Sequence, residues 1–281
     1  MNLPGRRPGF WSKACLATLV VLAIINLFPV YWITVTAFKT RAEMITFPPV
    51  WFPSSPTFAN FRETFVNRDF ASYLFNSVLA AVLSTFLCMI AGTFAGYSLA
   101  RFSFPGTFQD GVSFWILSTR MFPPIVTVIP IYFLMRSFSL LDTRAALVIS
   151  YTLFNLPLVV WMMRGVFLEI PHDLEEAAMV DGLSRGAAMI KIALPLSAPG
   201  LASTAILCLI LSFNEFLLAL TLGTVKAVTL PVGIAGCVTQ YKVMWGEMSA
   251  AGLVAVVPIV CFILVAQKYL VSGLTMGAVK G

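Results

Sequence analysis

Residues 175–199 read EEAAMVDGLSRGAAMIKIALPLSAP, a polar, amphipathic interruption in a chain that is otherwise almost wholly apolar. The chemistry on offer there is recognition rather than bond breaking. A small helix carrying carboxylates and alanines can seat in a partner's cleft, with its acids paired to basic residues on the rim. The spacing of Asp173 and Glu176 predicts a capping box at a helix start. Leu174, Ala177, Ala178 and Asp181 follow at i, i+3, i+4 and i+7, which predicts one shared face with both alanines on its exposed side. Gly182 is placed to end this helix. Ser184 can cap a second short helix that stops at Pro195.

Two further groups invite a chemical reading. Arg120 and Glu215 are the charges deepest inside apolar runs. An ionisable side chain at a helix centre costs at least about 2.5–3.5 kcal/mol, so it faces a cavity or a partner. Asn214 and Glu215 are candidates for a translocation path or an intersubunit contact. Arg120 either pairs with Glu215 or ties helices together. No paired catalytic carboxylates, Cys–His pair or metal-binding cluster lies in the runs, and His172 has no metal-binding companion. No GxxxxGK[ST] occurs, so the chain is expected neither to bind nor to hydrolyse ATP. The cysteines (Cys15, Cys88, Cys208, Cys237 and Cys261) form no CxxC or zinc pattern and are expected to be structural.

The elements that position these residues follow from composition. Hydrophobic residues make up 59% of the 281, charged residues 11%, and the mean hydropathy is +0.91. A soluble domain carries about 25% charged residues. A chain this poor in charge cannot cover a water-facing surface, so an all-α polytopic membrane protein is predicted. The net charge of +6 is scattered, which excludes a nucleic-acid surface.

Crossing the hydrocarbon core takes about 20 helical residues. Six runs qualify, near residues 14–38, 72–100, 111–135, 145–163, 199–222 and 248–270. The first follows Arg6, Arg7 and Lys13 but is too long for a signal-peptide core, so it reads as a retained span. Six spans place both termini on one side. Basic residues divide nine against eight between the two sides, so only the basic N-terminal tail favours termini inside.

The loop 39–71 holds Pro48, Pro49, Pro53, Pro56 and many aromatics, and is expected to form an ordered cap on the outer face. The third run contains RMFPPIVTVIP and is the first candidate for a pathway wall. Gly92 and Gly96 allow close helix packing. Trp32, Trp115 and Trp161 read as interface anchors rather than sugar platforms. The predicted organisation is a tail, first span and loop (1–71), a five-helix core (72–270) with a polar loop at about 165–198, and a tail (271–281).

Glu176-Ala177-Ala178, Asp181-Gly182 and Ile192-x-Leu194-Pro195, with nine residues between Gly182 and Ile192, resemble the EAA motif. That motif belongs to the membrane subunits of binding-protein-dependent ABC importers. FPPVWFPSSPTFANF, FNSV, FNEFLLALTL and the C-terminal GLTMGAVKG resemble the carbohydrate-uptake branch, in particular its smaller six-span subunit of the maltose type. The resemblance implies a type I importer permease fold in a bacterial inner membrane. It also implies a coupling helix docked in a cytoplasmic ATPase subunit through Asp173, Glu176, Ala177, Ala178, Asp181, Gly182, Leu194 and Pro195. The implied partners are a second permease, two ATPase subunits that bind ATP and Mg, and an extracytoplasmic binding protein that presents a sugar or polyol. The C-terminal tail would reach toward the ATPase pair. Arg120 departs from the maltose-type pattern and turns the expectation toward a small polyol or monosaccharide. The rival reading is a self-sufficient secondary transporter or channel acting as a homodimer, with Glu215 as its coupling carboxylate.

Overall fold

The computed structural model describes residues 10–102 and 108–276, with side chains for residues 15–102 and 111–264. Arg6, Arg7 and the terminal residues 277–281, read above as tails, lie outside the described residues. So do the side chains of Lys13 and Lys268.

The apolar runs fold as helices because hydrocarbon offers no partner to backbone N–H and C=O groups, and a helix satisfies them within one segment. In chain order these are α1 (Phe10–Phe38), α2 (Phe70–Arg101), α3 (Phe108–Ser118), α4 (Pro124–Ser137), α5 (Arg144–Glu169), α6 (Asp173–Val180), α7 (Arg185–Leu196), α8 (Ala198–Phe213), α9 (Leu217–Leu222), α10 (Leu230–Ala235) and α11 (Trp245–Met276). Among the described residues no strand forms. The nearest approach to one is an isolated bridge between Val238 and Val243.

Four helices, α1, α2, α5 and α11, are each long and apolar enough to cross a membrane unbroken, although Pro29, Pro157 and Pro258 lie inside three of them. The predicted third span is instead two helices, α3 and α4, bent by 92°. Phe122 is extended (φ −66°, ψ 133°), as is Pro123, and Pro124 starts α4. Proline disfavours helix in the residue before it and favours it in the turn it opens, so consecutive prolines set the break. The predicted fifth span also divides. Helix α8 stops at Phe213 and α9 resumes at Leu217. Among the described residues, length and composition give four candidate crossings, or up to six if each bent pair, α3 with α4 and α7 with α8, counts as one span.

The described residues fall into two compact units. One holds residues up to Phe70 together with Ile234–Ala255, and the other Ala71–Gly233 together with residues from Val256 onward. In the first unit the loop after α1 is ordered. Thr40 and Glu43 make a reciprocal capping box, and Asn60 Nδ2 donates to the carbonyls of Ala37 and Lys39 at the end of α1 (2.9 and 2.8 Å). Trp51 packs edge-on against Trp32 with centroids 5.7 Å apart, and the Tyr31 hydroxyl donates to its carbonyl.

In the second unit α2 lies directly on α5. A Cβ built on Gly92 would come within 2.5 Å of Val159, and one on Gly96 within 2.8 Å of the Arg164 nitrogen and the Met163 Cβ. Only glycine permits this approach. Buried Cys88, Tyr97, Val159, Met163, Phe167, Met189, Ala193 and Cys208 join α2, α5, α7 and α8 in one core. A second core sets α4 and α9 on α5 through Val128, Met135, Leu147, Tyr151, Leu218 and Leu222.

Between α4 and α5, Asp142 (φ +58°) turns its carboxylate into the loop after α9. It accepts the backbone N–H groups of Thr224, Val225, Lys226 and Ala227 at 2.8–3.1 Å. Asn76 on α2 donates to the carbonyls of Lys226 and Val228, and the Ser77 hydroxyl accepts from Leu230 N–H. Partial burial pushes the Asp142 carboxyl up, but its four amide donors outweigh this and hold it at about 2, below its usual 3.8. The folded chain therefore binds this proton more weakly than the unfolded chain. Its stabilisation is complete above the usual carboxylate range and is lost as pH falls toward about 2. Asp142→Asn is expected to speed amide hydrogen exchange at residues 224–227 several-fold at pH 7. Acidification from pH 5 to pH 2 should lower the protection factors of the same amides, measured against the intrinsic exchange rate at each pH, in the native chain and change them little in the variant.

Candidate docking surface and intramembrane polar cluster

The polar loop between α5 and α8 is built as two short helices, as its spacing predicts. Helix α6 spans Asp173–Val180, and Gly182 (φ +96°) ends it. Leu183 N–H reaches the Ala178 carbonyl at 3.0 Å and Gly182 N–H reaches the Met179 carbonyl at 3.1 Å, the bond pair of a Schellman cap. Ser184 is extended and accepts Ala187 N–H, which starts α7.

Two local expectations fail. No capping box forms at Asp173, which is the first helical residue. The N-cap is His172, already in helical conformation and without a side-chain cap bond. The Pro171 and His172 carbonyls accept the first amides instead, and His172 Nδ1 meets Glu176 Oε1 at 2.9 Å on the surface. Nor does Pro195 stop the second helix. A π-helical turn at Met189–Ala193 precedes Pro195, and α7 runs one residue further, to Leu196. Proline supplies no N–H to the turn before it, and a widened turn accommodates the missing donor. Helices α7 and α8 then meet at 75°.

The alanines divide between two faces. Ala177 is exposed, but Ala178 is buried against the chain, contrary to the expectation that both face outward. The outward surface consists of Asp173, Leu174, Glu176, Ala177, Val180, Asp181 and Gly182, with Val180 88% exposed. This is a small apolar ridge ringed by carboxylates. Leu194 is half-buried and Pro195 exposed on α7.

Sequence reasoning missed the inner face. Glu175 is 2% exposed. Its Oε1 accepts from Arg101 Nε at 2.7 Å, and its Oε2 accepts from the Tyr97 hydroxyl at 2.5 Å. Arg101 Nη2 also donates to the Ile170 carbonyl at the end of α5 (2.9 Å). The available signal was spacing: Glu175 shares a helical face with Ala178, three residues on, and Glu176 lies about 100° round from it.

Within the spans, Arg120 and Glu215 do not pair: among the described residues no ion pair joins them. Arg120 sits at the α3–α4 break. Its Nη1 donates to the Phe154 carbonyl (3.0 Å) and to Asn155 Oδ1 (2.9 Å) on α5. Asn155 Nδ2 donates to Ser212 Oγ on α8 (2.9 Å), and Ser84 Oγ on α2 donates to the same oxygen (3.2 Å). Through Arg120, Asn155, Ser212 and Ser84 these bonds link the α3–α4 break with α5, α8 and α2. Glu215 Oε1 accepts Leu218 N–H at the start of α9 (3.0 Å), and Asn214 is exposed beside it.

The family described as binding-protein-dependent transport system inner membrane component matches residues 89–276. The chain is 39% identical over 280 residues to the trehalose transport system permease protein of Mycobacterium tuberculosis, covering 98% of this chain and 99% of that one. It is 38% identical over 262 residues to the sulfoquinovosyl glycerol transport system permease protein of Agrobacterium fabrum, covering 93% and 91%. Its fold is similar to that of a crystallised bacterial ABC transporter involved in import of the acidic polysaccharide alginate. That match has a TM-score of 0.78 at 22% identity, over 96% of this chain and 100% of the other.

The Arg120–Asn155–Ser212 chain gives a direct test. Asn155→Leu leaves the Arg120 guanidinium short of an acceptor inside the bundle, a loss on the order of 1–3 kcal/mol. The thermal midpoint of the detergent-solubilised protein is expected to fall by several degrees, whereas substitution of exposed Asn214 by Ala should leave it in place.

Proposed function

The chain belongs to the binding-protein-dependent transport system inner membrane component family. From that premise we propose that it is a permease subunit of an ATP-driven sugar importer, forming half of the translocation path. Its relatives are named for trehalose and for sulfoquinovosyl glycerol, which favours a small glycoside as cargo over a polymer. The other half of the path is a second permease. Two ATPase subunits bind ATP and Mg, and an extracytoplasmic binding protein delivers the solute. The chain lies in a bacterial inner membrane with both termini and the α6–α7 loop on the cytoplasmic side.

The observation that carries this reading is the outward surface of α6. A short helix with Leu174, Ala177 and Val180 exposed has no use for that ridge in water, and the ridge has the size of a plug for a cleft. Ala177 seats it closely. Asp173, Glu176 and Asp181 suit basic residues on the rim. Gly182 fixes the angle at which α7 leaves, and Leu194 with Pro195 carries α7 into α8. Closure of the ATPase pair then moves the loops as rigid bodies, and the spans exchange inward-open for outward-open arrangements. A self-sufficient ion-coupled transporter would need a free carboxylate in the spans. Glu215, the candidate for that role, already accepts a backbone N–H at the start of α9.

Reconstitution with the cognate subunits tests the proposal. Glu176→Lys reverses the charge at the rim and is expected to lower ATP-driven uptake on the order of tenfold or more. Gly182→Pro cannot adopt φ +96° and should do the same. Full uptake by both variants would remove the docking role from α6.

A further inference from the structure

Helix α6 is eight residues long, too short to hold its shape alone in water. It must be held by the rest of the chain, and the way it is held has direction. Its inner face carries one buried carboxylate, Glu175, whose two oxygens go to two different residues of α2, Tyr97 and Arg101. The side chains of Arg101 and Glu175 are 5% and 3% exposed. Arg101 bonds Ile170 as well, so the ends of α2 and α5 and the inner face of α6 meet at one guanidinium. The Tyr97 ring stands edge-on to Phe167 of α5 at 5.3 Å. On the other side, the Arg185 guanidinium of α7 lies 4.9 Å above the ring of Phe102, one residue past Arg101. Further along α2, Gly92 and Gly96 leave no gap between α2 and α5.

A buried ion pair is weak as a source of stability, because an apolar replacement of the same volume holds as well. What it supplies is fixed geometry. Two charge-assisted bonds and a hydroxyl bond set both distance and orientation, where apolar contacts allow sliding. We propose that Tyr97, Arg101 and Glu175 form a strut that carries displacement of α6 into the α2–α5 pair. They are positioning residues that touch neither ATP nor solute. The inference rests on the docking role of α6 argued above.

The test uses the complete reconstituted transporter, with uptake and ATP hydrolysis measured on the same proteoliposomes. Glu175→Gln keeps the volume and a hydrogen-bond acceptor but removes the charge. It is expected to retain the ATPase subunits and basal hydrolysis while solute taken up per ATP falls at least about fivefold, within the range of allosteric couplings. Tyr97→Phe should give a smaller loss in the same ratio. The exchange Arg101→Glu with Glu175→Arg should recover part of the ratio, which restoration of folding alone would not select. An unchanged ratio in Glu175→Gln would overturn the strut, as would a variant that loses its ATPase subunits, since the contact would then serve only to fold α6. An exchange no better than Glu175→Gln would also count against it. Failure of the native complex to couple uptake to ATP would instead overturn the docking role itself, and the strut with it.

Discussion

In hydrocarbon a backbone N–H or C=O without a partner costs several kcal/mol, so a membrane chain can leave the helix only where something else supplies the bond. That constraint decides where this chain breaks and why its buried charges sit where they do. The α3–α4 break is made by Pro123 and Pro124, and Arg120 stands at it. Its guanidinium donates to the Phe154 carbonyl and the Asn155 side chain of α5. The α8–α9 break is mirrored in sign. There Glu215 accepts the N–H of Leu218, one of the orphan donors of a new helix. The two charges that look like a buried pair in the sequence each bond elsewhere, Arg120 across to α5 and Glu215 to the first turn of α9.

The same logic separates the two glutamates at the start of the polar loop. Helical geometry rotates Glu176 about 100° away from Glu175. Glu176 faces out, where solvent or a partner's cation can meet its charge. Glu175 faces in, where its charge must be met by the chain, and Arg101 and Tyr97 do so with one bond each to its two oxygens. One acid stays at the surface and the other holds α6 to α2.

The sequence disclosed the parts governed by local rules. Period and length located the helices that give four to six candidate crossings, and glycine geometry located both the end of α6 at Gly182 and the α2–α5 contact at Gly92 and Gly96. The motif residues fell on the short helices where the spacing put them. What stayed hidden depended on partners distant in sequence. Glu175 and Arg101 lie 74 positions apart, and Asp142 lies more than 80 from the amides it gathers. No periodicity links such residues. The failed capping box at Asp173 has a nearer cause: the Pro171 and His172 carbonyls satisfy the first turn without a side chain, so the acid at Asp173 is left free on the surface. The inward turn of Ala178 follows from Glu175, three residues before it on the same helical face.

On the proposed docking role of α6, motion entering at the polar loop has two ways into the spans, and their stiffness differs. One is covalent. Helix α7 continues into α8 through Ser197, but the two axes meet at 75°, and a push along α7 there becomes mainly a turn of α8. The other is non-covalent and shorter, from Glu175 into the end of α2, which is pressed onto α5 without intervening side chains at Gly92 and Gly96. A close-packed contact transmits displacement because neither side can yield by a rotamer change. Both routes end in the core of Cys88, Tyr97, Val159, Met163, Phe167, Met189, Ala193 and Cys208, to which α2, α5, α7 and α8 all contribute. Tilting α2 and turning α8 therefore repack one cluster, and a cluster at interior density has few alternative arrangements to repack into. This favours a switch between two states of the unit over a graded bend.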